Sequence, residues 1–179
     1  NDYLAHLCSQ HKTQEFYTVI ANVQTAGKGQ RGNTWESETG KNLLFSIVIY
    51  PTALEAKHQF YLSMLTAVSI IEALENYTSG FNIKWPNDIY WDNKKIAGIL
   101  IENELQGKYI SQSIIGIGLN VNQDSFLGDA PNPISLKQII GVDIDREELF
   151  LKITKNIVAS YRLLEEDFEK MSSTLRILY

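Results

Sequence analysis

At 179 residues and 44% hydrophobic content, the chain is long enough for one well-buried domain and too short for two generous ones. A net charge of −5 argues against a nucleic-acid surface, which needs a basic stripe, and no run approaches the ~18 apolar residues of a membrane span. A single cysteine, Cys8, leaves no internal disulfide, and no signal-peptide pattern opens the chain, so the expected setting is the reducing cytoplasm.

Residues 2–10 read as a short helix with Leu4, Leu7 and Cys8 inward. The β-branched and aromatic run 17–21 reads as a strand, and 43–50 as a second one stopped by Pro51. From 57 to 77, Phe60, Met64, Ala67, Val68, Ile71 and Leu74 recur at helical spacing, which predicts one long amphipathic helix. Residues 81–85 are strand-like up to Pro86, 88–91 and 96–105 form a hairpin around 92–95, and 109–119 is a further strand. A polar loop over 120–133 leads to a short helix from Ser135, closed by Gly141. Asp145 then caps a long helix, with Glu148 placed for a capping box. The expected fold is a single α+β domain over residues 1–179, with a mixed, mostly antiparallel sheet flanked by helices.

Three segments carry chemistry. Gly27-Lys28-Gly29-Gln30-Arg31-Gly32 matches G-x-G-x-x-G to the letter. A dinucleotide site of that kind needs a helix to start inside the loop, whereas here residues 33–40 show no helical apolar stripe and lead into a strand. What remains is a basic loop between strands, either a solvated hairpin or a flap able to close over an anionic ligand. Trp35 beside it is a core anchor or a stacking platform for a flat ring.

In residues 81–85, alternation sets Asn82 and Lys84 opposite Phe81, Ile83 and Trp85. Lys84 is then an ordinary solvent-facing lysine or a cation in a polar pocket beneath the Lys28 loop. Pro86 fixes the turn, so Asn87 and Asp88 are held at the strand end. Gly116 and Gly118 interrupt a good strand, which marks a bulge, tight packing or the close approach of a ligand, and Asn120 follows at its end. His6, His11 and His58 are scattered without metal-ligand spacing.

These segments, in this order, resemble the signature of biotin protein ligases. The likeness covers most of the chain, from Gln24-Thr25-Ala26-Gly27 through Trp35, Gly40-Lys41-Asn42-Leu43 and Lys84-Trp85-Pro86-Asn87-Asp88. It continues in Lys95-Ile96-Ala97-Gly98-Ile99-Leu100 and ends in Gly116-Ile117-Gly118-Leu119-Asn120. The resemblance implies a fold like that of class II aminoacyl-tRNA synthetases. It also implies joining of biotin to the α-phosphate of ATP, with Mg²⁺ carried as the ATP complex and no metal ligands assigned. Transfer of biotin to a lysine of a biotin carboxyl carrier domain, of acetyl-CoA carboxylase or a related carboxylase, would follow. By position, Asn1, Gln24, Gly27, Lys28, Gly29, Gln30, Lys84 and Gly116 would contact biotin or its adenylate, with Lys84 the catalytic cation and Arg31 supporting the loop. Trp35 would cover the adenine, and Asn87, Asp88 and Asn120 would lie on the nucleotide side. Neither nucleic acid nor membrane is an implied partner, and an edge strand leaves room for a homodimer.

The chain departs from the family pattern at Lys28 and Gln30, where arginine is usual, and Gln30 lacks both the charge and the bidentate fork. A looser hold on the adenylate phosphate is expected. Asn1 stands as the last residue of a Ser-Thr-Asn motif, and the SH3-like and helix-turn-helix domains of some members fall outside these residues, as in a fragment. The competing readings are a lipoate ligase or octanoyl transferase of the same fold, or a non-catalytic biotin-binding module.

Overall fold

Strand alternation decides which side of the sheet becomes the core. In the last strand, Ile115, Ile117 and Leu119 join the main apolar cluster, while Ile114, Gly116 and Gly118 look the other way. The computed structural model describes residues 1–11, 13–128 and 131–179, with Arg31 described by its backbone alone. The elements run α1 (Asp2–Gln10), β1 (Thr18–Ala21), β2 (Leu43–Ile49), α2 (Phe60–Leu74), β3 (Phe81–Lys84), β4 (Asp88–Trp91), β5 (Lys94–Gln106) and β6 (Tyr109–Leu119). Helices α3 (Leu136–Ile140), α4 (Arg146–Glu166) and α5 (Phe168–Leu178) follow.

The six strands form one sheet in the order β1-β2-β6-β5-β4-β3. Every ladder is antiparallel, and the parallel component is a single bridge between Lys95 and Pro133. The mixed character expected from the sequence therefore reduces to that bridge. The long β5–β6 hairpin, turned at Gly107 with φ +64°, makes this pair the centre of the sheet.

One face of the sheet packs against α2, with α4 and α5 outside it. The helix expected to be amphipathic is instead buried on every side: all residues from Tyr61 to Ile70 are buried. A helix sandwiched between a sheet and two further helices has no solvent face to keep polar. Its first turn is a separate 3-10 segment, Ala56–His58, and the continuous helix begins at Phe60. The opposite face of the sheet is covered at one end by α1, whose Leu4 packs with Val48 and Ile114. The middle of that face stays open.

The caps fall where the sequence places them, but the capping box expected from Glu148 on α4 does not form. Ser135 and Gln138 form a reciprocal capping box on α3, and Gly141 closes that helix at φ +83°. Asp145 Oδ1 accepts hydrogen bonds from the amides of Glu147 at 2.9 Å and Glu148 at 3.2 Å, while the Glu148 carboxylate pairs with Lys152 at 2.8 Å. The long terminal helix breaks at Asp167, whose carboxylate accepts from the Lys170 amide at 3.0 Å and starts α5.

Because Ile157 is fully buried between α4 and the core, Ile157→Ala is expected to cost about 3 kcal/mol, from lost burial plus the cavity left behind. Asp145→Ala removes one cap and is expected to cost about 1 kcal/mol. Urea unfolding of the two variants beside the wild type checks both values.

Candidate functional site

The open face of the sheet owes its shape to glycine. Gly98 of β5 stands opposite Gly118 of β6, and Gly116 lies between Leu100 and Ser46, so side chains are missing from the centre of that face. The result is a cavity of about 570 Å³, within the usual range for small-molecule sites. Its floor is strands β2, β6 and β5, its walls are α1 and the 85–88 turn, and its roof is the glycine-rich loop.

Trp35 lies on this floor. A Cβ on Gly118 would come within 2.6 Å of the indole Cε2, and one on Gly98 within 3.2 Å of Cζ3. The indole therefore rests there only because both positions are glycine. Its Nε1 is buried and has no hydrogen-bond partner among the described residues.

Asn1 fills the dent over Gly116, where any side chain would collide with its amide. Its Oδ1 accepts from Ser46 Oγ at 2.8 Å, and its Nδ2 donates to the Leu100 carbonyl at 3.1 Å and to Glu102 Oε2 at 2.6 Å. Gln24, Gly29 and Gln30 also line the cavity. The loop they belong to is a narrow hairpin, closed by the Trp35 amide donating to the Gly27 carbonyl at 3.0 Å and Gly29 to Asn33 at 2.7 Å. Gly27 is at the neck of this hairpin, pressed against Trp35, and does not line the cavity. Arg31 falls in the turn Gln30–Gly32, with its side chain outside the described part.

Lys28 reaches across the mouth to Asp2, with Nζ 2.6 Å from Oδ2. The hydrogen bond from Lys28 holds the Asp2 carboxyl below its ordinary range, and the same bond raises Lys28. Both groups are largely solvent-exposed, so this pair is a weak, salt-sensitive contact.

The cation deep in the site is Lys95. Its Nζ is 2.7 Å from Asp88 Oδ1 and 5.6 Å from the Trp35 ring centre, with the Lys95 and Asp88 side chains 25% and 22% exposed. Asn87 fixes the neighbouring turn: its Nδ2 donates to the Ile99 carbonyl at 2.7 Å, and the Ile99 amide returns a bond to the Asn87 carbonyl at 2.9 Å.

Two of the expected site residues, Lys84 and Asn120, stand outside the cavity lining. Lys84 does not line the cavity. It shares the site face with its cross-strand partner Asp88, but it stands on the edge strand β3, two strands and ~10 Å from Gly98. Its ammonium turns to Tyr90, 3.3 Å from the hydroxyl. Asn120 is buried away from the cavity, donating to the Ile134 carbonyl at 3.2 Å and holding the segment that leads into α3.

Lys95, Gly98 and Glu102 also line the cavity; the first two stand in a segment that carries the resemblance, but none of the three is given a role from the sequence. Lys95 reads locally as part of a polar hairpin turn; the signal was Gly98, three residues on and inside a strand.

A model of the biotin/lipoate A/B protein ligase family matches residues 1–120. The chain is 34% identical over 165 residues to the bifunctional ligase/repressor BirA of Bacillus spizizenii, covering 88% of this chain and 50% of that protein. It is 33% identical over 139 residues to the biotin–[acetyl-CoA-carboxylase] ligase of Paracoccus denitrificans, covering 73% of this chain and 56% of that one. The chain thus spans about half the length of these relatives. Among solved structures, the biotin protein ligase of Aquifex aeolicus in complex with biotin and ATP superposes with a TM-score of 0.80 at 31% identity, over 95% of this chain and 71% of that one.

Gly118→Ala places a methyl group against the Trp35 indole and is expected to destabilise the protein by ~1–3 kcal/mol through overpacking. In a Trp35→Ala background the same change should cost nothing further. Denaturant unfolding of the two single variants and the double variant measures this coupling.

Proposed function

The chain belongs to the biotin/lipoate A/B protein ligase family, and we propose that it activates biotin as biotinyl-5′-AMP and passes it to a lysine of a biotin carboxyl carrier domain. The observation that carries this reading is the Lys95–Asp88 pair set beside Trp35 on the glycine floor. It supplies a fixed cation and a flat aromatic surface in one cavity, which suits a substrate with a carboxylate, a phosphate and a planar base. The Aquifex aeolicus structure that matches nearly the whole chain holds biotin and ATP together, and this supports the same pair of substrates here.

In the first step a biotin carboxylate oxygen attacks the α-phosphorus of ATP, and pyrophosphate leaves. Negative charge builds on the oxygens between the two reactants. Lys95, held by Asp88 rather than free to wander, is placed to counter it without reorganising at the moment of reaction. Trp35 covers the adenine, and Lys28 and Gln30 come from the roof toward the phosphate. Asn1, Gln24 and Gly116 form the biotin side. A closed roof also shields the mixed anhydride from water.

Magnesium enters with ATP as part of the substrate. Among the described residues no three His, Cys, Asp or Glu side chains cluster to form a protein-built metal site.

In the second step the lysine amine of the carrier attacks the biotinyl carbonyl, an amide forms and AMP leaves. A carrier domain of acetyl-CoA carboxylase is the expected acceptor, in line with the named activity of the Paracoccus denitrificans relative. The cytoplasm is the expected location; among the described residues no helix is long and apolar enough to cross a membrane.

Biotin-dependent ATP–pyrophosphate exchange, run beside lipoate and octanoate, tests the reading. Exchange with biotin alone supports it, and exchange with lipoate or octanoate instead overturns it. Within that assay Lys95→Ala is expected to lower the rate by ~100-fold or more, as for other lost oxyanion donors. Gln30→Arg restores a bidentate cation and should slow release of biotinyl-5′-AMP; unchanged release would remove Gln30 from the phosphate contact.

A further inference from the structure

The residue after Trp35 does something the ligase reading does not assign. Glu36 turns away from the cavity and presents both carboxylate oxygens to the loop that follows β6. Its Oε1 accepts from the Leu127 amide at 2.8 Å and its Oε2 from the Gly128 amide at 2.6 Å. Charge-assisted bonds to two successive amides are strong and directional. A Cβ on Gly128 would lie 2.6 Å from Oε2, so any larger residue there would make the carboxylate shift.

Further contacts zip the two segments together below this point. Gln123, 1% exposed, accepts on Oε1 from the Glu38 amide at 3.0 Å and from Asn42 Nδ2 at 2.6 Å. Asn42 Oδ1 in turn accepts from the Val121 amide at 2.9 Å. The base of the loop is therefore held mainly by Gln123 and Asn42, with Glu36 adding one long contact, Gln123 Nε2 donating to its Oε1 at 3.5 Å. The far end of the loop is different: the Leu127 side chain is 92% exposed and adds no packing, so the Glu36 carboxylate fixes that end.

We propose that Glu36 is a positioning residue for the nucleotide half of the site. It makes the Trp35 segment and the 121–128 loop one unit, so that placement of the indole over the floor and order in the loop stand or fall together. This rests on the ligase reading only in taking a nucleotide as the ligand at Trp35. The biotin half, built on Asn1, Ser46 and Gly116, shares no hydrogen bond with Glu36 and should be indifferent to it.

Calorimetric titration of the wild type, Glu36→Ala and Glu36→Gln with biotin and with ATP separately tests this, together with hydrogen exchange at the Leu127 and Gly128 amides. Glu36→Ala is expected to weaken ATP binding about tenfold, leave biotin affinity within about twofold, and expose both amides to exchange. Glu36→Gln keeps one acceptor oxygen and should fall between. In biotin-dependent exchange the KM for ATP should rise with kcat nearly unchanged. Unchanged ATP affinity in Glu36→Ala overturns the proposal while leaving the ligase reading intact. An equal loss of biotin and ATP binding reduces Glu36 to general stability and overturns it as well. A wild type that binds neither ligand overturns the ligase reading and this proposal with it.

Discussion

The site depends on one constraint: the middle of the sheet must carry no side chains on its open face. Gly98, Gly116 and Gly118 meet this at neighbouring positions of the two central strands, and the register of the β5–β6 hairpin brings them together. Strand interiors normally disfavour glycine, because it adds no packing and loses more backbone entropy on folding. The sheet tolerates it here because the other face of the same strands is packed completely. Ile99, Ile115 and Ile117 lie against α2, which is itself enclosed by α4 and α5. The helical side supplies the stability, and the open side is left free for chemistry.

The loops obey the same division. Among the described residues, both cations that line the cavity have a carboxylate within ion-pair reach: Lys95 with Asp88, and Lys28 with Asp2. The two pairs differ in their surroundings. The Lys95–Asp88 pair is mostly sheltered, so it keeps its geometry and its field. The Lys28–Asp2 pair stands in water and is readily exchanged for another anion. A fixed cation at the floor and a releasable one at the rim suit a ligand that enters from the rim and reacts at the floor.

Much of this was legible in the residues, and the part that was not has a physical reason. Helix α1 and strand β6 sit where their patterns place them, and the caps at Ser135, Gly141 and Asp145 act as their chemistry demands. The glycine loop, Trp35, Asn87 and Asp88 do converge on one cavity. Alternation along β3 gives the face of the sheet on which Lys84 stands and says nothing of how far across the sheet that strand lies. That distance comes from the strand order, which places β3 at the edge. Asn120 shows a related limit, since a residue at a strand end can turn either way and only the packing of the 134–136 segment decides it.

Lys95 shows why a local reading falls short at sites of this kind. Four polar residues, Asp92 to Lys95, fit a solvated hairpin turn, and Asp92 does adopt the left-handed conformation there, with φ +52°. Yet Lys95 belongs to β5 and is the first residue past the turn whose side chain swings over the floor. What directs it inward is the empty space above Gly98 together with Asp88 across the β4–β5 ladder, whose register pairs it with Gly98. The glycine that lets the indole settle thus also brings the carboxylate and the ammonium together. Both the aromatic surface and the charged group of the site trace back to the same missing side chain.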